Sequence, residues 1–145
     1  MYKAYFSPSE DCRNAIIKHL KQAQKEVKVC VFTISDNKIS SVLCDLHKKG
    51  IKVKIISDND KQYDRGSDIN FLHRQGIEIK IDMTDAHMHH KFALIDRKIL
   101  ISGSYNWTLS AAEKNQENII VTDQRDLLKA FNNEFERLWL KFDKL

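Results

Sequence analysis

The sequence predicts an α/β protein: a mixed, largely parallel β-sheet flanked by helices. Three observations carry this expectation. Apolar runs rich in β-branched residues recur at Val27 to Ile34, Ile51 to Ile56 and Ile77 to Ile81. Between them stand segments whose apolar residues repeat at helical spacing, the pattern of strand–helix–strand units. One Pro and four Gly in 145 residues leave little room for long irregular loops, and the length suits a single domain over 1–145.

Taken in order, Tyr2 to Phe6 alternates and reads as a short first strand. Ser7-Pro8-Ser9-Glu10 then reads as a helix start, with Ser7 as N-cap, Pro8 in the first helical position and Glu10 closing a capping box. Cys12, Ala15, Ile16, His19, Leu20 and Ala23 continue that helix, with lysines on its opposite face. Val27 to Ile34 is apolar almost throughout, as a strand buried on both faces must be. Asp36 or Asn37 can cap a second helix carrying Ile39, Val42, Leu43 and Leu46, which Gly50 ends. A third helix is expected over Ser67 to Gln75, stopped by Gly76. Phe92 to Asp96 and Ile99 to Ser102 form a hairpin about Arg97-Lys98, Glu117 to Thr122 is the last strand, and Asp123 to Lys144 is a long amphipathic helix.

A net charge of +4 fits a polyanionic partner without requiring one. The three cysteines, Cys12, Cys30 and Cys44, have no metal-ligand spacing and read as buried thiols of a reducing, cytoplasmic compartment. Residues 1–10 lack the apolar core of a signal peptide, and no apolar run reaches membrane-spanning length, so no stable membrane association is expected.

The chemistry concentrates in His89-His90-Lys91-Phe92-Ala93-Leu94-Ile95-Asp96 and the turn Gly103-Ser104-Tyr105-Asn106. Strand alternation puts His89 and Lys91 on one face: a nucleophile or base beside a fixed cation. Ser104 and Asn106 add hydroxyl and amide donors, completing a set suited to phosphate. His89, Lys91 and Asp96 stand as His-x-Lys-x4-Asp, with Gly103 and Asn106 following in register. This pattern resembles the signature of the phospholipase D superfamily. The strand VCVFTI, the segment GIKVKIISDND, the run HMHHKFALID, the turn GSYNWT and the approach Asn115 to Asn118 extend the likeness over nearly the whole chain.

The resemblance implies a phosphodiesterase working through a phosphohistidine. The superfamily brings two such motifs together, whereas this chain has one, as do short members that include bacterial endonucleases and mitochondrial cardiolipin hydrolase-like enzymes. A homodimer with one shared site is therefore expected. In that reading His89, Lys91, Asn106 and Glu117 are the catalytic set. His89 of one copy attacks phosphorus and His89 of the other serves the leaving oxygen and then water. Lys91 and Asn106 hold the non-bridging oxygens, and Glu117 sets the imidazole tautomer. Asp96, Gly103 and Ser104 support them.

Tyr105 and Trp107 flank Asn106 as candidate walls of a substrate groove, with Trp107 equally readable as a core anchor. His87 shares the face of His89, but Lys91 on that face opposes a dication, so no metal or other cofactor is expected. Lys48, Lys49, Lys52, Lys54, Lys61, Arg65 and Arg74 are candidates for the cleft rim, although such a scatter is more often a solvated face. Relatives of the cardiolipin hydrolase type usually carry an N-terminal membrane segment and often a Cys/His zinc insertion. This sequence shows neither, which favours an endonuclease of single-stranded DNA or RNA over a phospholipid phosphodiesterase. A non-catalytic nucleic-acid-binding relative is a third reading, disfavoured by the intact motif.

Overall fold

The computed structural model describes residues 1–59 and 66–145. Its strands are β1 (Tyr2–Ser7), β2 (Glu26–Val31), β3 (Lys52–Asp58), β4 (Glu78–Asp82), β5 (Lys91–Ile95), β6 (Ile99–Gly103), β7 (Glu117–Thr122) and β8 (Asp143–Lys144). Its helices are α1 (Asp11–Lys21), α2 (Asn37–Lys48), α3 (Ile69–Arg74), α4 (Leu109–Glu113) and α5 (Arg125–Lys141).

The strands form one mixed sheet in the order β1-β7-β6-β5-β2-β3-β4-β8. The expectation of a largely parallel sheet is corrected. Only β2–β3 and β3–β4 pair in parallel, and every other neighbouring pair among the described residues is antiparallel. The reason lies in the connections. α2 and α3 provide the crossovers that parallel neighbours need, whereas β5 and β6 are joined by a tight turn that permits only an antiparallel pair.

Strand alternation divides the core into two layers. Val27, Val29, Ile55, Ala93, Ile101 and Ile119 face α1 and α2, with Ile16, Leu20 and Leu43 packed on them. Cys30, Ile56, Phe92, Leu94 and Leu100 face α5, under Leu128, Phe135, Leu138 and Trp139. Each fully buried side chain of this size contributes about 1.5–3 kcal/mol. β2 is buried on both faces, as its composition requires, and even its Lys28 is covered. The Lys28 ammonium donates to Asn132 Oδ1 at 2.6 Å and meets Glu136 at 2.8 Å.

Three boundaries differ from expectation. The α1 capping box does not form, because Ser7 belongs to the β1–β7 ladder opposite Glu117 and its hydroxyl donates to the Asn115 carbonyl. The helix starts at Asp11, whose N–H donates to Ser9 Oγ. The last helix stops at Lys141, and the chain turns extended at Phe142 so that β8 covers the edge of β4. The hairpin turn is centred on Asp96-Arg97, one residue earlier than read. Both lie at φ near +55° (54° and 55°), the geometry of a two-residue hairpin turn, and the Lys98 N–H donates to the Ile95 carbonyl.

Candidate active site

The carboxyl ends of β2, β3 and β6 and the amino ends of β5 and β7 meet at one end of the sheet. Register places Val31 beside Lys91, Phe92 beside Ser102 and Gly103 beside Ile119. Around this end His89, Lys91, Ser104, Asn106 and Glu117 line one pocket of about 530 Å³, with Phe131 of α5 as an apolar wall.

His89 sits just before β5, its ring against Phe32 with centroids 4.6 Å apart. The Lys91 ammonium lies 3.0 Å from His89 Nδ1 and donates to the His89 carbonyl at 2.8 Å. Lysine can only donate, so this contact, which also brings the ammonium within 3.5 Å of Nε2, suits a neutral imidazole with Nδ1 as the nearer acceptor. Burial holds the His89 pKa below the ordinary imidazole range, and Lys91 and His87 add to the effect against Asp58. Burial also lowers the Lys91 pKa, opposed by the Glu117 carboxylate. Glu117 itself is engaged with Asn115 Nδ2 at 3.2 Å rather than with His89. The carboxylate expected to orient the imidazole is thus in the pocket, and in this state its field acts on Lys91.

Asn106 Oδ1 accepts from the Thr33 N–H at 3.3 Å, and its Nδ2 has no protein partner among the described residues. Gly103 answers a steric demand. A Cβ there would collide with the Asn118 carbonyl oxygen and lie 2.8 Å from Ile119 Cα, so only glycine lets β6 approach β7 this closely. Ser104 Oγ accepts from the Asn118 N–H at 3.1 Å and continues the same contact. Asp96 lies at the opposite end of β5. Its carboxylate accepts the backbone N–H groups of Gln24, Lys25 and Glu26 at 2.8–3.0 Å. Burial would raise its pKa, but these donors and Lys98 outweigh it and the net shift is down.

Tyr105 and Trp107 are not groove walls. They are 1% and 2% exposed and belong to the core beneath the turn. The Trp107 N–H donates to the Thr33 carbonyl, and its carbonyl accepts from Ser35 and Asp36. These bonds lock Asn106 against the end of β2. Asp36 is fixed in turn by a buried ion pair with Arg13 at 2.7 Å.

Sequence reasoning missed Arg13, Phe32 and Asp58. Asp58 is fully buried and accepts the Met88 N–H at 2.6 Å, which fixes the backbone leading into His89. A carboxylate at the carboxyl end of an apolar strand was the available signal. Of the expected rim cations, Lys61 and Arg65 lie outside the described residues. Lys48, Lys49, Lys52 and Arg74 are exposed and away from the pocket, and Lys54 stands over the Trp139 ring at 4.9 Å. His90 turns to the other face, edge-on to Phe92 and 3.8 Å from Glu134.

Cys12, Cys30 and Cys44 are buried and unpaired, and burial pushes the Cys12 thiol up to about 11. Among the described residues no group of three or more His, Cys, Asp or Glu is placed to hold a metal ion. None of their helices is long and apolar enough to cross a membrane.

Residues 16–139 match the family described as cardiolipin synthase, PLD-like domain. The chain belongs to this family, within the phospholipase D superfamily of phosphodiesterases. It is 42% identical over 137 residues to a mitochondrial cardiolipin hydrolase of Chlamydomonas reinhardtii, covering 94% of this chain and 61% of the relative. It is 41% identical over 124 residues to a mitochondrial cardiolipin hydrolase of Xenopus tropicalis, covering 86% and 59%. This phospholipase D-like chain therefore spans about three fifths of those curated relatives. Its fold matches the crystal structure of Nuc, a phospholipase D family member from Salmonella typhimurium. The TM-score is 0.93 at 22% identity, covering 100% of this chain and 97% of the other.

Proposed function

We propose that this chain is a metal-independent phosphodiesterase that cleaves single-stranded DNA or RNA as a homodimer. The observation that carries the reading is the convergence of His89, Lys91, Asn106 and Glu117 on one pocket, with a neutral imidazole and a cation in contact. An entering phosphate draws Lys91 off His89 onto a non-bridging oxygen, where Asn106 Nδ2 joins it. Once Nδ1 is released, the ring proton passes from Nε2 to Nδ1 by exchange with water, Nδ1–H donates to the Glu117 carboxylate, and the freed Nε2 lone pair attacks phosphorus. As the N–P bond forms the P–O bond breaks, and His89 of the partner subunit protonates the departing oxygen. That same imidazole next takes a proton from water, which attacks the phosphohistidine, breaks the N–P bond and restores His89.

One motif per chain supplies one of the two histidines this cycle needs. Support for a second copy lies beside the pocket. Tyr2 and Phe6 of β1 are 76% and 65% exposed and Ile120 of β7 is 51% exposed, on the sheet face that α5 leaves open. Ile120 pairs with Ser102, which lines the pocket, so the apolar patch runs up to the site. Burying it against its own copy would close the pocket's open flank.

A phospholipid substrate is the second reading, favoured by the similarity to mitochondrial cardiolipin hydrolases. The polar lining of the cleft beside the pocket, with His87, His90, Arg137 and Lys141, supports the nucleic-acid reading over an acyl-chain channel. Labelled single strands incubated in EDTA are expected to be cleaved by the wild type and not by His89→Ala. Head-group release from phospholipid vesicles without strand cleavage would transfer the assignment to the lipid.

A further inference from the structure

A second cleft, of about 400 Å³, shares His89 and His90 with the catalytic pocket. Its floor is the C-terminal half of α5, and its far wall is the connection between β4 and β5. Phe131 lines the catalytic pocket, whereas Glu134, Arg137 and Lys141 line the second cleft. Steps of three and four residues keep these side chains on one face, so one stripe of α5 runs beneath both cavities. From Phe131 to Lys141 that stripe is about 15 Å long. A stacked strand carries one charge about every 3.4 Å, so the stripe underlies roughly four phosphates.

Two carboxylates and two cations border the cleft, and their engagements differ. Glu134 holds Arg137 through two hydrogen bonds of 2.8 and 2.7 Å, yet the guanidinium side chain stays 59% exposed. Asp82 is buried and accepts the Thr84 N–H and hydroxyl. Lys141 is exposed and 5.8 Å from the Phe142 ring centre, and among the described residues no carboxylate pairs with it. Successive phosphates flanking the one being cleaved would meet the exposed imidazole of His90, then the outer N–H groups of a guanidinium and, at the far end of the stripe, a free ammonium.

We propose that this cleft is a phosphate-tracking subsite for the strand flanking the scissile bond. Lys141 and Arg137 are its contacts, and Glu134 restrains Arg137. The inference rests on the nuclease reading above.

The test measures KM for single strands of about twelve nucleotides and for dinucleotides, across a range of salt, in wild type, Lys141→Ala and Glu134→Gln. Lys141→Ala raises KM for the long strand about fivefold, the effect of one exposed charge contact. It also reduces the salt slope by about 0.7. Its penalty shrinks with the dinucleotide, which does not reach along the stripe. Glu134→Gln frees Arg137 and lowers KM for the long strand about twofold, where loss of a merely structural ion pair would not improve binding. Wild-type KM and salt slope in both variants, on a strand that wild type cleaves, would overturn the subsite and leave the nuclease reading standing. A wild type that hydrolyses phospholipid vesicles and cleaves no strand would remove the nuclease reading, and the subsite with it.

Discussion

The two ends of β5 carry the two ends of one signature and are built on opposite principles. At the amino end His89 and Lys91 lie against each other, and burial moves both toward their neutral forms. At the carboxyl end Asp96 receives three backbone donors and is held more firmly ionised. The five residues of the strand separate these ends by about 17 Å. The fixed spacing of His-x-Lys-x4-Asp is therefore the length of a strand. One end gathers its polar groups around an open pocket, where the proposed mechanism has them exchange partners for a phosphate. The other saturates its polar group and ties the β5–β6 turn to the start of β2.

The sharpest way to break this contrast is to remove one end at a time. His89→Ala should lower turnover by about 10⁴-fold, as loss of a nucleophile does, with a melting temperature close to wild type. A melting temperature that falls with activity would mean that the amino end is structural as well. Gly103→Ala is expected to have the next largest effect, on stability. Its Cβ meets backbone on β7 that cannot rotate away, so a loss of roughly 3 kcal/mol is expected, at the upper end of overpacking costs. Urea unfolding measures it.

Asp96→Ala should cost about 2 kcal/mol, since it removes a charged acceptor shared by three N–H groups at a half-buried site. Activity per folded molecule should remain. The sign with pH follows from the depressed folded pKa. This contribution is present above the ordinary aspartate value of about 3.9 and is lost as pH falls through the folded value. Stability-against-pH curves should thus converge in acid, and curves that stay parallel would assign the loss to packing.

The same contrast explains what could be read in advance. Contacts along one strand obey alternation, so His89 and Lys91 were legible as a pair, and Ser104 and Asn106 as donors in the nearby turn, whereas Asp96, Gly103 and Glu117 were marked by the resemblance to the superfamily signature. Contacts between elements are not periodic in sequence. Arg13 gave no signal because its partner, Asp36, lies far along the chain. Tyr105 read as a groove wall, and Trp107 stayed open between groove and core, because nothing local shows that the Trp107 backbone is stitched to Thr33 and Asp36. The strand runs were correctly placed, but run composition does not state direction. A buried strand beside an antiparallel neighbour is as apolar as one beside a parallel neighbour, and the connections decide between them.

The smallest expected effect examines the amino end alone. His89 is moved below the imidazole range first by burial, then by Lys91 and His87, while Asp58 acts the other way. Lys91→Met keeps an apolar stem of similar length and removes the charge. The His89 ring should then titrate closer to about 6.5, the ordinary value. Its C–H resonances report this by NMR even in an inactive protein. The lowered folded pKa means that the folded state binds a proton less readily than the unfolded chain. Stability from this group is therefore present above the ordinary imidazole value and is lost as pH falls through the folded value, and Lys91→Met should shrink that loss. An unchanged titration would mean that burial against Phe32 alone sets the imidazole. The lysine would then touch the imidazole beside it without perturbing its titration.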